Sequence, residues 1–515
     1  MATISKLLLC LIVFDFSSKK LVLENALYRV RFLIVKTALS LPENVASHII
    51  SVSVIIGQGP TSFAGGKHHF FRKEVAMHEL KQVMKDAGLV GDGGAGFPSY
   101  AKLAEGADTL LINGSECEPL LYTDYMLMKR ELPMILAGIQ SVIWSLRIKR
   151  ALFCVKEHTA KRLSLSEGDQ LSAGVFVKVM PNVYPIGDEI SLIYQATGRL
   201  VKPGSLPISK GVLVYNVETM YNLGRAVKYF EPVTMKWLTV GGDVKEPRVV
   251  RVPIGTPVAD LFERLGIEVD EDHAVIDGGP SMGKIINHNI AEVGKTTKAL
   301  LVLPKNTRAV ESKLINKKMA VTRAETACCQ CTRCTDLCPR ALLGYPLEPH
   351  KMVRTAMGAA VAMPEMVLSA TLCCGCGICE NLACSQGISP RAVINNYKEL
   401  LAKNKLRYVG NEEVSPKEER EYRMIPSKKW AQDLGIDRFD LVAVWGGEIR
   451  DFDRVELALG RYIGIPSAPA VRDGAIVQVG DIVASASAGL SIPQHASIHG
   501  RVTVTDKKII IDRVV

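Results

Sequence analysis

Aromatic residues, long apolar runs and blocks of like charge are all scarce in this sequence. Only 6% of its 515 residues are aromatic. No segment contains the roughly 18 consecutive apolar residues that a membrane-spanning helix requires, so we expect no integral membrane span. The net charge of +10 is spread along the chain without a lysine- or arginine-rich block, which disfavours a nucleic-acid partner. The length predicts a globular protein of several domains.

We also expect no secretory signal in this sequence. The apolar run at 7–14 (LLLCLIVF) follows a single basic residue, Lys6, and precedes Asp15 and Lys19 without a small-residue cleavage site. A signal peptide would have a more basic start and such a site. We predict a buried strand or an atypical extension instead, and assign residues 1–74 to an N-terminal extension of unclear role.

Residues 75–230 alternate between helical and strand-like patterns. Apolar residues recur at helical spacing in 73–87, and further helices are predicted at 131–147 and 187–198. The predicted buried strands are 109–112, 151–155, 175–180 and 211–217. This alternation predicts an α/β domain with a largely parallel, Rossmann-like sheet.

The remainder of the chain divides by composition into four segments. Residues 231–310 combine strands, a Gly-Gly turn and a helix at 258–265, which predicts a small α+β module. Residues 311–403 are helical and contain most of the cysteines. Residues 404–439 are highly charged with little apolar periodicity, and so predict a linker. Residues 440–515 have the short strands and glycine turns of a small β barrel or sandwich.

Cysteine, in contrast, is abundant and clustered, with ten of the thirteen residues between positions 328 and 384. In a large chain such clustering is typical of metal ligation in a reducing compartment rather than of disulfides. Two runs have the spacing of bacterial ferredoxins, C-x2-C-x2-C with a fourth cysteine beyond it. The first run consists of Cys328, Cys331, Cys334 and Cys338, and the second of Cys373, Cys376, Cys379 and Cys384. Pro339 follows the first run, whereas the second has four residues before its last cysteine where three are usual.

This spacing predicts two [4Fe–4S] clusters with crossed ligation, in which the fourth cysteine of each run binds the cluster of the other run. One cluster would take Cys328, Cys331, Cys334 and Cys384, and the other Cys338, Cys373, Cys376 and Cys379. Zinc is the alternative, but it prefers two separated C-x2-C pairs or cysteine mixed with histidine. The extra cysteines are interpreted as packing thiols (Cys329, Cys374) and as buried apolar residues (Cys10, Cys117, Cys154).

The α/β domain contains a glycine-rich loop, GDGGAGFPSYAK, and an acidic strand end, NGSECEP. The glycines are Gly91, Gly93, Gly94 and Gly96. Without Cβ atoms they let backbone N–H groups approach an anion closely. Glu116 and Glu118 follow the strand at 109–112, and open α/β sheets bind ligands at the carboxyl ends of their strands. These carboxylates suit hydrogen bonds to ribose or nicotinamide, and solvated loop charge is the alternative.

Together these loops resemble those of a known group of redox proteins. GDGGAGFPSYAK and NGSECEP resemble the FMN- and NADH-binding loops of the flavin-bearing component of respiratory complex I. They are still more similar to those of the Rnf-type electron-transport C component and of the PduS-type cobalamin reductase family of propanediol-utilisation microcompartments. YPIGDE at 184–189, GRLVKPGSLP and VLVYNVET resemble the remaining flavin-site segments, and residues 232–290 resemble the β-grasp (SLBB) module of this group. The barrel-sandwich candidate at the C-terminus and the doubled cysteine that heads each run favour the cobalamin reductase family.

The resemblance implies roles for individual residues. The four glycines and Lys102 would hold the FMN phosphate, and Phe97 would stack on the nicotinamide nucleotide. Further contacts to flavin or nucleotide would come from Asn113, Glu116, Glu118, Gly187, Glu189, Asn216 and Thr219. Without the resemblance, Phe97 would be interpreted as a core residue and Asn216 as a turn residue.

The resemblance also implies an NADH-dependent oxidoreductase that carries FMN and two [4Fe–4S] clusters and reduces cob(III)alamin toward cob(II)alamin and cob(I)alamin. A flavin is needed because NADH delivers two electrons and each cluster takes one, and we expect no protein general base in the hydride step. An adenosyltransferase and shell proteins would be partners within a cytoplasmic bacterial microcompartment. The alternatives are an Rnf-type component of a membrane ion pump and a non-catalytic iron–sulfur adaptor. His495 and His499 are expected to be surface histidines rather than cobalt ligands.

Overall fold

The computed structural model describes residues 76–94, 96–356, 364–410 and 412–514. The predictions made for residues 1–74, including the strand or extension at 7–14 and the burial of Cys10, lie outside the described residues. Within the described ranges, no helix has the length and apolar content needed to cross a membrane.

A five-stranded sheet forms the centre of the predicted α/β domain, in the order β3-β4-β2-β1-β6. This part of the chain contains β1 (Thr109–Gly114), β2 (Arg150–Lys156), β3 (Gln170–Ser172), β4 (Val175–Met180), β5 (Val183–Tyr184) and β6 (Val212–Asn216). Strands β4, β2, β1 and β6 run parallel, and β3 is antiparallel to β4. The central strands β1 and β2 are almost wholly buried because helices pack on both faces of the sheet. The predicted α/β class is confirmed.

Two of the helices that cover this sheet meet backbone to backbone. The helices of the domain are α1 (Met77–Asp86), α2 (Thr123–Leu146), α3 (Glu157–Leu163), α4 (Glu189–Thr197) and α5 (Val217–Tyr229). A Cβ added to Gly138 of α2 would lie 2.0 Å from the carbonyl oxygen of Met220 on α5. Only glycine leaves room for so close a crossing, and the crossing fixes α5, whose N-terminus borders the site described below.

A second sheet follows, built from the predicted α+β module. The elements here are β7 (Met235–Gly242), β8 (Arg248–Pro253), α6 (Val258–Leu265), β9 (His273–Asp277), β10 (Lys284–Ile286) and β11 (Ala299–Pro304). The helix lies where the sequence predicts it, and Leu261 and Phe262 on its inner face are buried. A loop at 278–283 joins β9 to β10 and extends toward the first domain.

The cysteine-containing segment is helical, as predicted. Its helices are α7 (Arg308–Leu314), α8 (Lys317–Ala327), α9 (Arg333–Asp336), α10 (Pro339–Leu342), α11 (Pro349–Arg354), α12 (Pro364–Leu368) and α13 (Pro390–Lys403). A 3-10 turn spans Ser369–Leu372 and a π-helical turn spans Cys379–Ala383. Pro339 is the first residue of α10, a position where its missing N–H costs nothing.

Residues 404–439 differ from the linker that their charge predicts. They contain α14 (Arg420–Arg423), β12 (Ile425–Pro426) and α15 (Ser427–Asp433). β12 pairs with β5 of the first domain. Trp430 on α15 is fully buried and stacks on Tyr184, with ring centroids 4.7 Å apart. The sequence pattern misses this packing because the few anchoring apolar residues are widely spaced among charges.

The C-terminal residues form short strands, one of which joins the second sheet. The strands are β13 (Val444–Glu448), β14 (Arg454–Ala458), β15 (Ala468–Pro469), β16 (Ile476–Val477), β17 (Ile482–Ser485), β18 (Gln494–His495), β19 (Gly500–Val504) and β20 (Lys508–Arg513). β13 pairs with β8, so the second sheet has the order β10-β9-β11-β7-β8-β13. The others form the sheets β14-β20-β19-β16 and β15-β17-β18.

The prediction that His495 lies at the surface is wrong. This residue is 5% exposed because β18 packs against the segment around Gly88, whose added Cβ would lie 3.5 Å from the His495 ring. Burial, together with nearby Lys295, lowers the pKa of His495 to about 3. His499 is half-buried, and its ring nitrogen Nδ1 lies 2.9 Å from the Val477 carbonyl oxygen.

Candidate functional site

A cleft of about 370 Å³ opens at the carboxyl ends of β1 and β6, where Asn113 and Asn216 are paired neighbours in the sheet. The predicted residues that line it are Gly91, Gly93, Gly94, Phe97, Lys102, Asn113, Glu116, Glu118, Gly187, Glu189, Asn216 and Thr219. Open α/β sheets bind ligands at this position. The predicted site residues, although far apart in sequence, therefore line a single cleft at the position where a ligand-binding site is expected.

The glycine loop forms one wall of the cleft. The N–H of Gly91 donates to the Phe97 carbonyl oxygen at 2.8 Å, which closes the loop. Gly93 and Gly94 are exposed, and a Cβ at Gly94 would have no atom within 4 Å. Gly96 does not line the cleft: its φ is +74°, and an added Cβ would lie 2.6 Å from the side chain of Thr296. Gly96 therefore serves the packing of the loop on the second module.

Several residues predicted to contact a cofactor also hold the cleft together. The Asn216 side chain caps α5 by accepting the N–H of Glu218 at 2.8 Å, so it is a helix cap rather than a turn residue. Asn113 donates to the Gly187 carbonyl oxygen at 3.0 Å. The Thr219 hydroxyl donates to the Val90 carbonyl oxygen at 3.2 Å. These bonds tie the glycine loop, β1 and the 184–189 segment into one wall.

Lys102, predicted to neutralise phosphate, has a carboxylate partner within the cleft. Its Nζ lies 2.8 Å from Oε1 of Glu189, and both side chains are about one-third exposed. Exposed ion pairs of this kind contribute little to stability. The pair is therefore free to rearrange, and a bound phosphate can compete with Glu189 for the ammonium group.

A buried charge network, which was not predicted, extends from the floor of the cleft, where Glu116, Asp124 and Lys298 line it. Its members are Lys236, Lys298, Asp92, Asp124, Glu116 and Glu218. Lys236 contacts Asp92 at 3.0 Å and Glu218 at 2.8 Å, and both members of the second pair are almost wholly buried. Lys298 contacts Asp124 and Glu218. Both lysines come from the second module, so no local motif in the first domain could reveal them.

The charge balance of this network explains an unusual carboxyl group. Four carboxyl groups face two ammonium groups, and burial makes unpaired charge costly. Burial and the adjacent Asp124 raise the pKa of Glu116 to about 8. The Glu116 carboxyl group is therefore protonated more readily than an exposed glutamate, and its Oε1 accepts the N–H of Asp124 at 3.3 Å.

The cysteines gather in two cavities, in the arrangement that crossed ligation predicts. The first cavity is lined by Cys328, Cys329, Cys331, Cys334 and Cys384. The second is lined by Cys338, Cys373, Cys374, Cys376 and Cys379. The described cysteines are free thiols, and each cavity contains the four predicted sulfur ligands that a [4Fe–4S] cluster takes. The donor set fits this cofactor in both cavities.

The π-helical turn at Cys379–Ala383 resolves the unusual spacing of the second run. A π turn contains one more residue than an α-helical turn. The extra residue between Cys379 and Cys384 is taken up there, and Cys384 still reaches the first cavity beside Cys334. The four-residue gap is thus compatible with a complete set of thiols.

The extra cysteines are placed differently from one another. Cys329 is exposed at the mouth of the first cavity, which differs from the predicted packing role. Cys374 and Cys376 line both the second cavity and the cleft, so the two spaces adjoin. Cys117 lines the cleft. Cys154 is buried in β2 as predicted, and burial raises the pKa of its thiol to about 12.

Comparison with known proteins assigns the class. Residues 84–225 match the Nuo51 FMN-binding domain, 238–284 the SLBB domain and 327–389 the 4Fe-4S dicluster domain. The last match favours iron–sulfur over zinc for the cysteine runs. These domains, with the cleft and the thiol cavities, define a flavin- and iron–sulfur-containing electron-transfer oxidoreductase.

Relatives that match most of the chain give the family. Cobalamin reductase PduS of Citrobacter freundii is 37% identical over 437 residues, which is 84% of this chain and 96% of that protein. PduS of Salmonella typhimurium strain LT2 is 37% identical over 434 residues, with the same coverage of both chains. The C component of the proton-translocating ferredoxin:NAD(+) oxidoreductase complex of Clostridium ljungdahlii is 32% identical over 275 residues, 52% of this chain and 58% of that one. The chain belongs to the family of the cobalamin reductase PduS.

Proposed function

We propose that this protein oxidises NADH and reduces a corrinoid, with FMN in the cleft and a [4Fe–4S] cluster in each thiol cavity. The observation that supports the proposal most strongly is that the nucleotide cleft adjoins the second thiol cavity. Cys374 and Cys376 line the nucleotide cleft and the second cavity at once. A cofactor in the cleft would therefore lie beside the cysteine segment that ligates a cluster.

The chain offers suitable groups for each part of the nucleotide. The exposed backbone at Gly93 and Gly94 and the ammonium group of Lys102 suit a phosphate. Phe97 presents an apolar ring to the cleft, and Glu116 presents a carboxyl group whose pKa is raised to about 8 by burial and by Asp124. When bound, the flavin would supply the exchange between two-electron and one-electron transfer. The protein groups bind and orient the nucleotides, and we assign none of them as a general base.

The corrinoid is the finer part of the proposal. Its support is the name of the relatives that match 96% of their own length, which are called cobalamin reductases. An Rnf-type role in a membrane complex is the alternative, because the C component of the ferredoxin:NAD(+) oxidoreductase complex matches 52% of this chain. A non-catalytic adaptor is the alternative of another class.

Anaerobic reconstitution tests the proposal. We expect protein loaded with iron, sulfide and FMN to contain one FMN and about eight iron atoms per chain. NADH should bleach the flavin absorption, and added cob(III)alamin should then be reduced in the absence of membranes. Brown protein without flavin would indicate the adaptor, and reduction of ferredoxin but not of cobalamin would indicate the Rnf-type role.

A variant of the glycine loop locates the flavin. A Cβ at position 93 would lie 3.0 Å from the Asn216 amide, so Gly93→Val places a branched side chain in the cleft. We expect this variant to lose FMN and keep its iron. Retention of both cofactors would mean that the flavin binds elsewhere.

The same proposal includes the domain partition and the cellular setting. The domains would be 75–230 for FMN and NADH, 231–310 for the SLBB module and 311–403 for the clusters. Residues 440–515 would be a barrel-sandwich module, with 404–439 connecting them and 1–74 as an extension. We further propose a bacterial microcompartment as the location, with an adenosyltransferase and shell proteins as partners.

A further inference from the structure

Glu118 lies in the cleft, yet both of its carboxylate oxygens are occupied by backbone of another module. Oε2 accepts the N–H of Ser281 at 2.9 Å, and Oε1 accepts the N–H of Met282 at 2.9 Å. A Cβ on Gly279 would lie 2.4 Å from the Glu118 side chain. The 278–283 loop therefore packs tightly against the Glu118 carboxylate. Hydrogen bonds to a charged acceptor are stronger than those between neutral groups.

The other side of the same loop is held by the cysteine-containing segment. The Ser281 carbonyl oxygen accepts Nη1 of Arg391 at 2.6 Å and Nζ of Lys313 at 2.8 Å. The indole N–H of Trp430 donates to the Ser281 hydroxyl at 2.9 Å. Ser281 and Trp430 are almost wholly buried, and Arg391 is 9% exposed. The loop is therefore clamped between Glu118 and three side chains from beyond residue 310.

Arg391 and Tyr184 connect this loop and Glu118 to the second cysteine run. Arg391 also donates to the Gly375 carbonyl oxygen at 3.2 Å and pairs with the buried Glu380, within the π-helical turn. The Tyr184 hydroxyl donates to the Cys376 carbonyl oxygen at 2.7 Å and lies 3.5 Å from Glu118. The backbone that carries Cys373, Cys376 and Cys379 is thus linked to Glu118 by a continuous set of hydrogen bonds.

We propose that Glu118 is a positioning residue for electron transfer: by holding the 278–283 loop, it keeps the cysteine segment at 373–379 against the cleft. The resemblance implies instead that Glu118 contacts flavin or nucleotide. The inference rests on the proposed function, because it assigns Glu118 to electron transfer between the proposed flavin and cluster sites and not to NADH binding.

The test compares Glu118→Ala and Glu118→Gln with the wild-type full chain. Loss of two charge-assisted bonds should speed amide hydrogen exchange at 279–283 and 373–381 about tenfold or more. FMN content, NADH affinity and the rate of flavin bleaching should stay within about twofold of wild type, since the cleft keeps its other groups. Cluster reduction after mixing with NADH, followed by absorbance and by electron paramagnetic resonance, should slow about tenfold or more.

Two further variants act as controls. Glu116→Gln changes the neighbouring carboxyl group, which does not bond to the loop, so it should alter nucleotide affinity and leave exchange at 373–381 unchanged. Gly279→Ala pushes the loop off Glu118 without removing the carboxylate, and should reproduce the exchange pattern of Glu118→Ala. If Glu118→Ala does not fold by circular dichroism, Glu118→Gln and Gly279→Ala decide the question.

The result that overturns the proposal is a drop of about tenfold or more in FMN or NADH affinity with unchanged exchange at 373–381. Glu118 would then be a nucleotide contact. Failure of the proposed function is distinct: the wild-type protein itself would bind no FMN or would not be reduced by NADH. Hydrogen exchange in the same variants would still report whether Glu118 holds the loop.

Discussion

At the scale of single residues, Glu116 shows how burial and a neighbouring carboxylate change the pKa of a side chain. Its carboxyl group accepts the N–H of Asp124 at 3.3 Å and lies in the network of Lys298 and Glu218. The sequence NGSECEP predicts the position of this residue at a strand end. It could not predict the raised pKa, because burial of this side chain and its approach to Asp124 depend on the tertiary structure.

The protonation of Glu116 predicts a pH dependence of stability. The folded protein keeps this proton up to about pH 8, whereas an unfolded glutamate loses it near pH 4.3. Between these values the folded state binds more protons, so the stability of the folded state falls as the pH rises. Gln cannot ionise, so Glu116→Gln should gain roughly 2 kcal/mol or more over wild type between pH 5 and pH 8.

Urea unfolding of the flavin-free protein at pH 5, 6.5 and 8 measures this difference. Glu105, an exposed carboxylate away from the network, provides a matched control as Glu105→Gln, which should follow the wild-type profile. Parallel profiles for wild type and Glu116→Gln would contradict the raised pKa.

At the scale of elements, the π-helical turn decides whether Cys384 can serve the first cavity. The spacing rule for ferredoxins predicts three residues before the fourth cysteine, and the second run has four. A local insertion is poorly predicted from sequence because a loop bulge and a π turn satisfy the same spacing. The structure uses the turn, and it also buries Glu380 and Asn381 there.

Cys384 and Cys329 offer a matched pair of substitutions at this cavity. Both thiols line it, but the crossed arrangement assigns Cys384 as a ligand and leaves Cys329 exposed. We expect Cys384→Ser to lower the iron content of reconstituted protein by about four atoms per chain, and Cys329→Ser to leave it unchanged. Iron and acid-labile sulfide analysis provides the measurement. Equal losses of iron in the two variants would contradict the assignment of Cys384 as a cluster ligand and Cys329 as a neighbouring thiol.

At the scale of the whole molecule, the parts that sequence predicts are those with local signals. The parallel sheet, helix α6 and the two cysteine runs each depend on spacing within a few residues. Contacts between modules have no such signal. Met282 and Lys298 enter the cleft from the second module, and Trp430 is buried in a core cluster where it stacks on Tyr184 of the first domain.

The return of β13 to the second sheet predicts that the C-terminal residues stabilise the centre of the protein. Trp445 on β13 lies 4.7 Å from Trp237 between ring centroids. A chain ending at residue 439 lacks β13, so β8 becomes the edge strand of the second sheet and Trp237 becomes more exposed. We expect its midpoint of thermal unfolding to fall by about 5 °C or more.

A chain ending at residue 451 serves as the control, since it keeps β13 and lacks the strands that follow. It should unfold at a higher temperature than the chain ending at 439. Differential scanning calorimetry compares the two. Identical midpoints would mean that β13 contributes nothing to the sheet it joins.

The proposed crossed ligation, in which each run supplies one thiol to the other run's cluster, has a consequence for the order of biosynthesis. The first cavity stays incomplete until Cys384 has left the ribosome, although its other three thiols are synthesised about fifty residues earlier. A nascent chain that has exposed only the first run therefore offers three of four ligands to any scaffold that delivers iron and sulfide. Under the proposed ligation, the second set of thiols is complete at Cys379 and the first at Cys384, so both centres would mature late and nearly together.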